Sequence, residues 1–482
     1  MNDAENSNSP FLFVIPTYRI EAACETARKY AENFRRFNHS IPIIIFDDSP
    51  NEDDYLKKLA VKYFSDLDQI YYVGFREKAL FLSQLKKYFK NDALIDLIFR
   101  PSYGGNRNFT LAYTLGKKMI TADDDMSPYG LFANPARLTN NDLVYKGRFV
   151  NDTKRILQID QDIVGSFQNV LGKKAGSINY QKGEHLIDNS VDLLTNNTKK
   201  KLPNEIVLKL KKGKVPDNTV IKIAQTYRSG SPDVDAMDYI NDFFENPEII
   251  SVNDLSQTLV VSYFKPCVTK LNWRFDPGVC ALDNSSGLPP FIPTSLRFED
   301  YIFRLWLQKD DVASAHVNAV QNHKRNPKRL SLTSSFLNEE IAAILKHVMR
   351  LNIKKINDTS IIFLDKFDVS INKIENIYQK GLELKRKAEK YLHEKPLYNS
   401  YFTNFLTDLE KTFFEFNHEA FISAVSAQLN DEYQLLLQTM DLWPKLLPVM
   451  LNITKTIRNL SYGGKNESTF DFNTIFAGQS KA

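Results

Sequence analysis

The chain has 482 residues, 43% hydrophobic and 25% charged, with a formal net charge of +4. That is enough apolar material for a large core and two or three domains, and the near-neutral balance gives no global sign of nucleic-acid binding. Cys24, Cys267 and Cys280 are too few and too scattered for a disulfide framework or a zinc site, which excludes a small disulfide-stapled module and points to a reducing, cytosolic compartment.

Residues 1–10 are polar and acidic, without the basic start or apolar core of a signal peptide. No apolar run is long enough to span a bilayer, so a soluble chain is expected, with peripheral contact at the inner face of the membrane left open. Phe11 to Ile15 is a continuous apolar run stopped by Pro16, the signature of a strand buried on both faces. Pro16-Thr17-Tyr18-Arg19 reads as a loop, and Glu21 to Phe37 as a helix with Ala23, Ala27, Tyr30, Ala31 and Phe34 on one face. Ile43 to Phe46 is a second buried strand, ending in Asp47-Asp48-Ser49-Pro50. A helical stretch near 56–64 and a third strand, Ile70 to Val73, follow. This β-α-β-α-β order predicts a parallel sheet, in which ligands bind beyond the carboxyl ends of the strands.

Tyr103-Gly104-Gly105-Asn106-Arg107-Asn108 precedes a helical segment through Leu111 and Leu115. Paired glycines at a helix start are either a simple turn or a place where backbone can approach an anion, with Arg107 as a fixed cation. Lys118 to Ala122 then reads as a strand that ends in Asp123-Asp124-Asp125. Three adjacent carboxylates repel and resist desolvation, a conflict that a divalent cation removes. In an extended chain Asp123 and Asp125 share one face and Asp124 takes the other. The competing reading is a solvated acidic turn.

From about 130 to 250 the pattern loosens into short segments, an insertion by its length. Lys199-Lys200-Lys201 with Lys209, Lys211, Lys212 and Lys214 forms a basic stretch, read first as a solvated loop or hairpin edge and second as a contact for an anionic acceptor or membrane surface. Gln257 to Phe264 is a strand. Trp273-Arg274-Phe275-Asp276 and a Gly/Pro-rich stretch from Ser285 to Pro293 lead to Phe298-Glu299-Asp300, where the acid pair opens an amphipathic helix. Acids there either complement the helix dipole or hold a general base at a pocket rim. His323 is either structural or a metal ligand. After Pro327 helical spacing takes over: 338–351, 371–392, 401–429 and 432–460. In the second helix Ile371, Ile374, Tyr378, Leu382, Lys385 and Leu392 trace a stripe, and Pro444 and Pro448 are expected to break or kink the last.

Taken together, Ile15-Pro16-Thr17-Tyr18, Phe46-Asp47-Asp48-Ser49, Gly105-Asn106-Arg107-Asn108, Ala122-Asp123-Asp124-Asp125 and Phe298-Glu299-Asp300 resemble the ordered motifs of GT-A fold nucleotide-sugar glycosyltransferases of the family-2-like group. The resemblance covers about Phe11 to Pro327. It implies a GT-A domain over 1–330, α/β with a Rossmann-like, mostly parallel sheet, followed by an all-helical C-terminal domain over 331–482. Pro16, Thr17 and Tyr18 would line the base and ribose pocket, and Asp47 or Asp48 would hydrogen-bond the base. Arg107 would brace the pyrophosphate or the acidic motif. Asp123 would grip the ribose and, with Asp125 and His323, a Mn²⁺ or Mg²⁺. Asp300, or else Glu299, would take the acceptor proton in an inverting displacement. The implied donor is a nucleotide-diphosphate sugar, UDP-sugar first, and the acceptor a glycan, polysaccharide or glycoprotein, with room for self-association through the helices. A retaining transferase with the same metal site, a sugar nucleotidyltransferase and a non-catalytic scaffold are the alternatives. The nucleotidyltransferase fits poorly, because Pro16-Thr17-Tyr18-Arg19 lacks a Gly-rich phosphate loop.

Overall fold

The computed structural model describes residues 11–49, 70–89, 91–133, 142–150, 156–188, 205–231, 236–245, 258–270, 275–294, 296, 299–307, 312–324, 332–354, 371–415 and 417–463. The expected helix near 56–64, the lysines at 199–201, Trp273, Arg274 and Phe298 lie outside the described residues.

The opening apolar run forms strand β1 (Phe11–Thr17), followed by helix α1 (Ile20–Arg36), β2 (Ile43–Asp47) and β3 (Ile70–Val73). Helices α2 (Phe75–Lys86), α3 (Asp92–Ile98) and α4 (Tyr103–Thr114) lead to β4 (Lys118–Ala122). The order β3-β2-β1-β4 is parallel throughout, as the sequence pattern requires. Alternation along β1 splits its side chains between two cores. Phe13 and Ile15 face Ala23, Ala27, Tyr30 and Phe34 of α1, whereas Leu12 and Val14 face Phe81, Ile98 and Phe109. Pro16 does not stop the strand. Pairing of β1 with β4 ends at Val14, so Pro16 sits where β2 is the sole partner and a missing N–H is tolerated.

The remaining strands make the sheet mixed rather than mostly parallel. The longer of them are β5 (Leu143–Val150), β6 (Glu205–Leu210), β7 (Ile221–Gly230), β8 (Thr258–Phe264), β9 (Val279–Asp283) and β10 (Ala313–His323). The sheet continues beyond β4 as β9-β7-β8-β5-β6, and each of those neighbours is antiparallel to the last. Strand β10 lies parallel to β7. β5, β6 and β7 come from the stretch of 130–250 whose apolar pattern is broken by Lys, Asn and Gly, and for all six strands direction is set by long-range pairing that local sequence does not carry. In the described part of the basic stretch, Lys209 lies on β6, which pairs with strands on both sides, and Lys211, Lys212 and Lys214 are exposed in the loop that follows, with Lys211 paired to Glu184 at 2.9 Å.

Besides the short helix Ile163–Gln168, the later helices include α5 (Ala236–Glu245), α6 (Glu299–Leu307), α7 (Leu332–Lys354), α8 (Ile371–Glu394), α9 (Asn399–Leu409) and α10 (His418–Gly463). Helix α8 buries Ile374, Ile377, Gly381, Leu384 and Ala388, a narrower seam than the expected stripe, and Ile371 is exposed. The expected helix over 401–429 breaks before Asn417, whose side chain caps α10 by accepting from the Ala420 N–H at 2.9 Å. Helix α10 then runs unbroken through Pro444 and Pro448. Its first half packs with α5 and α7–α9, its second half on the sheet's helical layer. There Trp443 lies 6.0 Å from Phe99, and its indole N–H donates to the Leu288 carbonyl at 2.8 Å. That anchorage holds the helix across positions where proline removes backbone bonds. No helix among the described residues is long and apolar enough to cross a membrane.

Trp443→Ala is expected to lower unfolding free energy by about 3–5 kcal/mol in urea titrations. A loss well under 1 kcal/mol would show that α10 is not part of the core.

Candidate functional site

Strand β4 ends at Ala122, and the three aspartates form a turn closed by the Met126 N–H donating to the Asp123 carbonyl at 3.1 Å. The extended chain expected through this run is therefore absent, and the three side chains fan out. Asp124 is buried, 5% exposed. It accepts from the Thr17 hydroxyl at 2.5 Å and from Arg19, whose Nε lies at 3.1 Å and whose Nη2 bonds the other oxygen. Burial pushes the Asp124 carboxyl up, while Arg19 works against that rise. Arg19 Nη2 also reaches Asp125 Oδ2 at 3.2 Å. One guanidinium thus answers two carboxylates.

Asp123 is held by a second arginine. Its carboxylate accepts from Arg107 Nη2 at 2.9 Å, and Arg107 Nε lies 3.4 Å from Glu299 Oε1. Of the two expected roles for Arg107, bracing the acidic run is the contact present. Helix α4 is packed tightly enough to aim this side chain. A Cβ on Gly104 would fall 1.8 Å from the Ile292 carbonyl oxygen, and one on Gly105 1.9 Å from that of Arg100. The glycine pair therefore admits protein carbonyls rather than an external anion, correcting the anion-approach reading.

The antiparallel direction of β9 brings its amino end, not its carboxyl end, to this site. The turn Asp276-Pro277-Gly278 enters there, and the Asp123 N–H donates to the Gly278 carbonyl at 3.2 Å. Asp276 accepts from Arg228 Nη1 at 2.6 Å. Asp300, in the first turn of α6, accepts from the Tyr301 N–H at 2.7 Å. Its carboxyl is pushed up to about 7, first by burial and then by the neighbouring Glu299 and Asp276 carboxylates. Glu299 is also raised by burial, but its contact with Arg107 opposes this. The two expected base candidates are therefore unlike: Glu299 is an arginine's counter-ion, and Asp300 is poised near neutrality.

Along the edge formed by β1 and β2, Thr17 and Asp47 are buried and Tyr18 is 41% exposed. Asp47 is occupied internally, accepting from the Ser49 N–H at 2.9 Å and from the Tyr72 hydroxyl at 3.1 Å. Asp48 pairs with the buried Lys78. Asn106 ties this edge together, donating to the carbonyls of Thr17 at 3.2 Å and Phe46 at 3.0 Å.

His323 ends β10 with Nε2 at 3.6 Å from Asp125 Oδ1 and Nδ1 at 3.3 Å from the Ser231 carbonyl. With its proton on Nδ1 toward that carbonyl, the imidazole presents a lone pair to a carboxylate. In that tautomer Nε2 and Asp125 Oδ1 could share a metal ion between them. The pair fits two ligands of one hard-to-borderline divalent ion, as Mn²⁺ accepts. Asp123 stays with Arg107, and among the described residues no three acid, histidine or cysteine side chains cluster as a complete metal cage. The residues that could contribute to such a site are Asp125 and His323, whose side chains are 8% and 13% exposed.

Arg19, Lys78, Asp276 and Gly278 were not singled out from sequence. Lys78 carried a signal, standing with Phe81 and Leu85 on the buried face of α2. Arg19 directly follows a strand end. Asp276 and Gly278 flank a proline in an ordinary turn pattern, which gave none.

Because Asp300 holds its proton more tightly folded than unfolded, its contribution favours the folded state fully below about pH 4 and is lost as pH rises through about 7. Asp300→Asn should therefore be more stable than wild type at pH 8, by on the order of 2–4 kcal/mol, with the gap closing toward pH 4. A stability difference independent of pH would contradict this. Compared with models of known protein families and with curated proteins, the chain matches none, so its functional reading rests on its own residues.

Proposed function

We propose that this protein is a metal-dependent glycosyltransferase that moves a sugar from a nucleotide-diphosphate sugar, a UDP-sugar, to a hydroxyl of a glycan, polysaccharide or glycoprotein, with inversion. The observation that carries the reading is Arg107, which grips Asp123 of the acidic run and Glu299 beside Asp300 at the same time. One side chain thus couples the loop suited to a charged donor with the helix that bears a near-neutral carboxyl. The ordered motifs that resemble GT-A enzymes converge at the ends of β1, β2 and β4, which supports the same assignment.

In this reading Tyr18 and Asp48 bind the nucleoside, and the buried Thr17 lines the pocket from below, its hydroxyl on Asp124. Pro16 shapes the strand end beneath it, and Asp47 holds the turn. Asp125 and His323 would hold a Mn²⁺ or Mg²⁺, which when bound neutralises the charge on the departing diphosphate. Asp123, steadied by Arg107, faces the ribose side. Asp300 accepts the proton of the attacking hydroxyl, and its raised carboxyl suits a base that must release that proton again near neutral pH.

A panel of sugar nucleotides with and without Mn²⁺, read by release of nucleoside diphosphate, tests this. Metal-dependent release that Asp125→Ala abolishes is expected. Asp300→Asn should cut transfer about 10²–10⁴-fold while leaving donor binding intact. Release of pyrophosphate would indicate a nucleotidyltransferase, and no turnover with no nucleotide binding would defeat both enzyme readings.

A further inference from the structure

The transfer reading gives Arg19 no task, although it touches both carboxylates that follow Asp123. Its Nε lies 3.1 Å from Asp124 Oδ2, and its Nη2 donates to Asp124 Oδ1 and, at 3.2 Å, to Asp125 Oδ2. The two bonds to Asp124 are a bidentate grip on a buried partner that the Thr17 hydroxyl also holds at 2.5 Å. The reach to Asp125 is a single, longer contact. Asp125 therefore has a guanidinium on Oδ2 while its Oδ1 faces His323 Nε2 at 3.6 Å.

The surroundings let that single contact change hands. The Asp125 carbonyl accepts from the Lys324 N–H at 2.9 Å, which fixes the chain beside His323. The carboxylate can thus pass from Arg19 to an ion without the turn moving. On its other side, Arg19 Cζ lies 5.8 Å from the centroid of the Tyr18 ring, within reach of a cation–π contact. Tyr18 stands on the nucleoside side of the proposed site and Asp125 on the ion side. The guanidinium lies between them, where a diphosphate joining the two must run.

Charge decides what this arrangement does. Arg19, Asp124 and Asp125 together leave one negative charge, with His323 neutral in the tautomer described above. A divalent ion on Asp125 turns that balance positive and stands within a few ångströms of a guanidinium, which disfavours the ion alone. A nucleoside diphosphate arriving with the ion reverses the sign. Its oxygens take both the ion and the guanidinium hydrogen that Asp125 gives up.

We propose that Arg19 makes cation binding conditional on the diphosphate: it stands in for the ion at Asp125, keeps a lone divalent ion out, and turns to the diphosphate when ion and nucleotide enter together. This rests on the donor reading given above.

Two titrations of the full chain test this: Mn²⁺ alone, read by the electron paramagnetic resonance signal of the free ion, and UDP at saturating Mn²⁺, read by calorimetry. Arg19→Gln should bind Mn²⁺ alone about tenfold more tightly than wild type, and UDP with Mn²⁺ about tenfold more weakly. The opposite signs are the signature, because an arginine that only holds the turn together would weaken both on removal. A folded variant whose Mn²⁺ affinity is unchanged or lowered, or whose UDP affinity is unchanged, overturns the role of Arg19. Wild-type binding of UDP with Mn²⁺ would still leave the donor reading intact. If Arg19→Gln fails to fold by near-UV circular dichroism, Arg19→Gln with Asp124→Asn removes both charges of the buried pair and decides. Mn²⁺ bound at least as tightly as by wild type, with UDP weakened about tenfold, is then expected, and any other pattern overturns the assignment. A wild type whose affinity for UDP is the same with Mn²⁺ and with a chelator also overturns it. A wild type that binds no UDP in either condition defeats the donor reading itself, and this inference with it.

Discussion

Three consecutive carboxylates at the end of a buried strand set the constraint that the rest of the site answers. They cannot be drawn into the protein without cations, because each loses hydration and repels the next. Arg19 and Arg107 supply the compensation from opposite sides. Arg19, one step beyond β1, binds Asp124 and touches Asp125. Arg107, in the first turns of α4, binds Asp123 and turns toward Glu299. The acidic turn is therefore held open in a defined shape, with Asp124 as its root. Asp123, whose side chain is 41% exposed, stands at the rim beside it, whereas the Asp125 side chain is only 8% exposed.

The mixed sheet gives that shape its second half. Parallel strands alone would bring only carboxyl ends to one side. Because β9 runs against β4, the turn Asp276-Pro277-Gly278 arrives at the same edge. Gly278 lets it lie close: a Cβ there would fall 2.5 Å from Asp123 Oδ2. Strand β10, parallel to β7, delivers His323 opposite Met126, directly after the aspartates. Acids from two separate segments, Asp276 and Asp300, then stand near enough for one to raise the other. The chemistry read from this site depends on directions of strands that no local pattern encodes.

Much of the fold was legible wherever burial is two-sided and local. Phe11 to Ile15 and Ile43 to Phe46 are uninterrupted apolar runs, and they became β1 and β2. The acid pair at Glu299 opened a helix because first-turn carboxylates suit its dipole. Misreadings arose where a tertiary contact decided the outcome. An extended chain would have put Asp123 and Asp125 on one face and Asp124 on the other, yet the strand ends at Ala122 and the turn sends Asp123 to Arg107 and both Asp124 and Asp125 to Arg19. Gly104 and Gly105 looked like an anion cradle, although backbone carbonyls from Ile292 and Arg100 occupy the space. Pro444 and Pro448 failed to break α10 because Trp443, Leu446 and Met450 are buried against the sheet's helical layer. Asp47 and Asp48 were indistinguishable as letters, and only their partners tell them apart.

The central claim is that the arginine-braced acidic turn and His323 form a half-built cation site completed by a nucleoside diphosphate. Electron–nuclear double resonance on Mn²⁺ added to the protein with UDP reads this directly. The account predicts a bound ion with ³¹P couplings from the diphosphate and a ¹⁴N coupling that disappears in His323→Ala. A spectrum identical to that of Mn²⁺ and UDP without protein would contradict it.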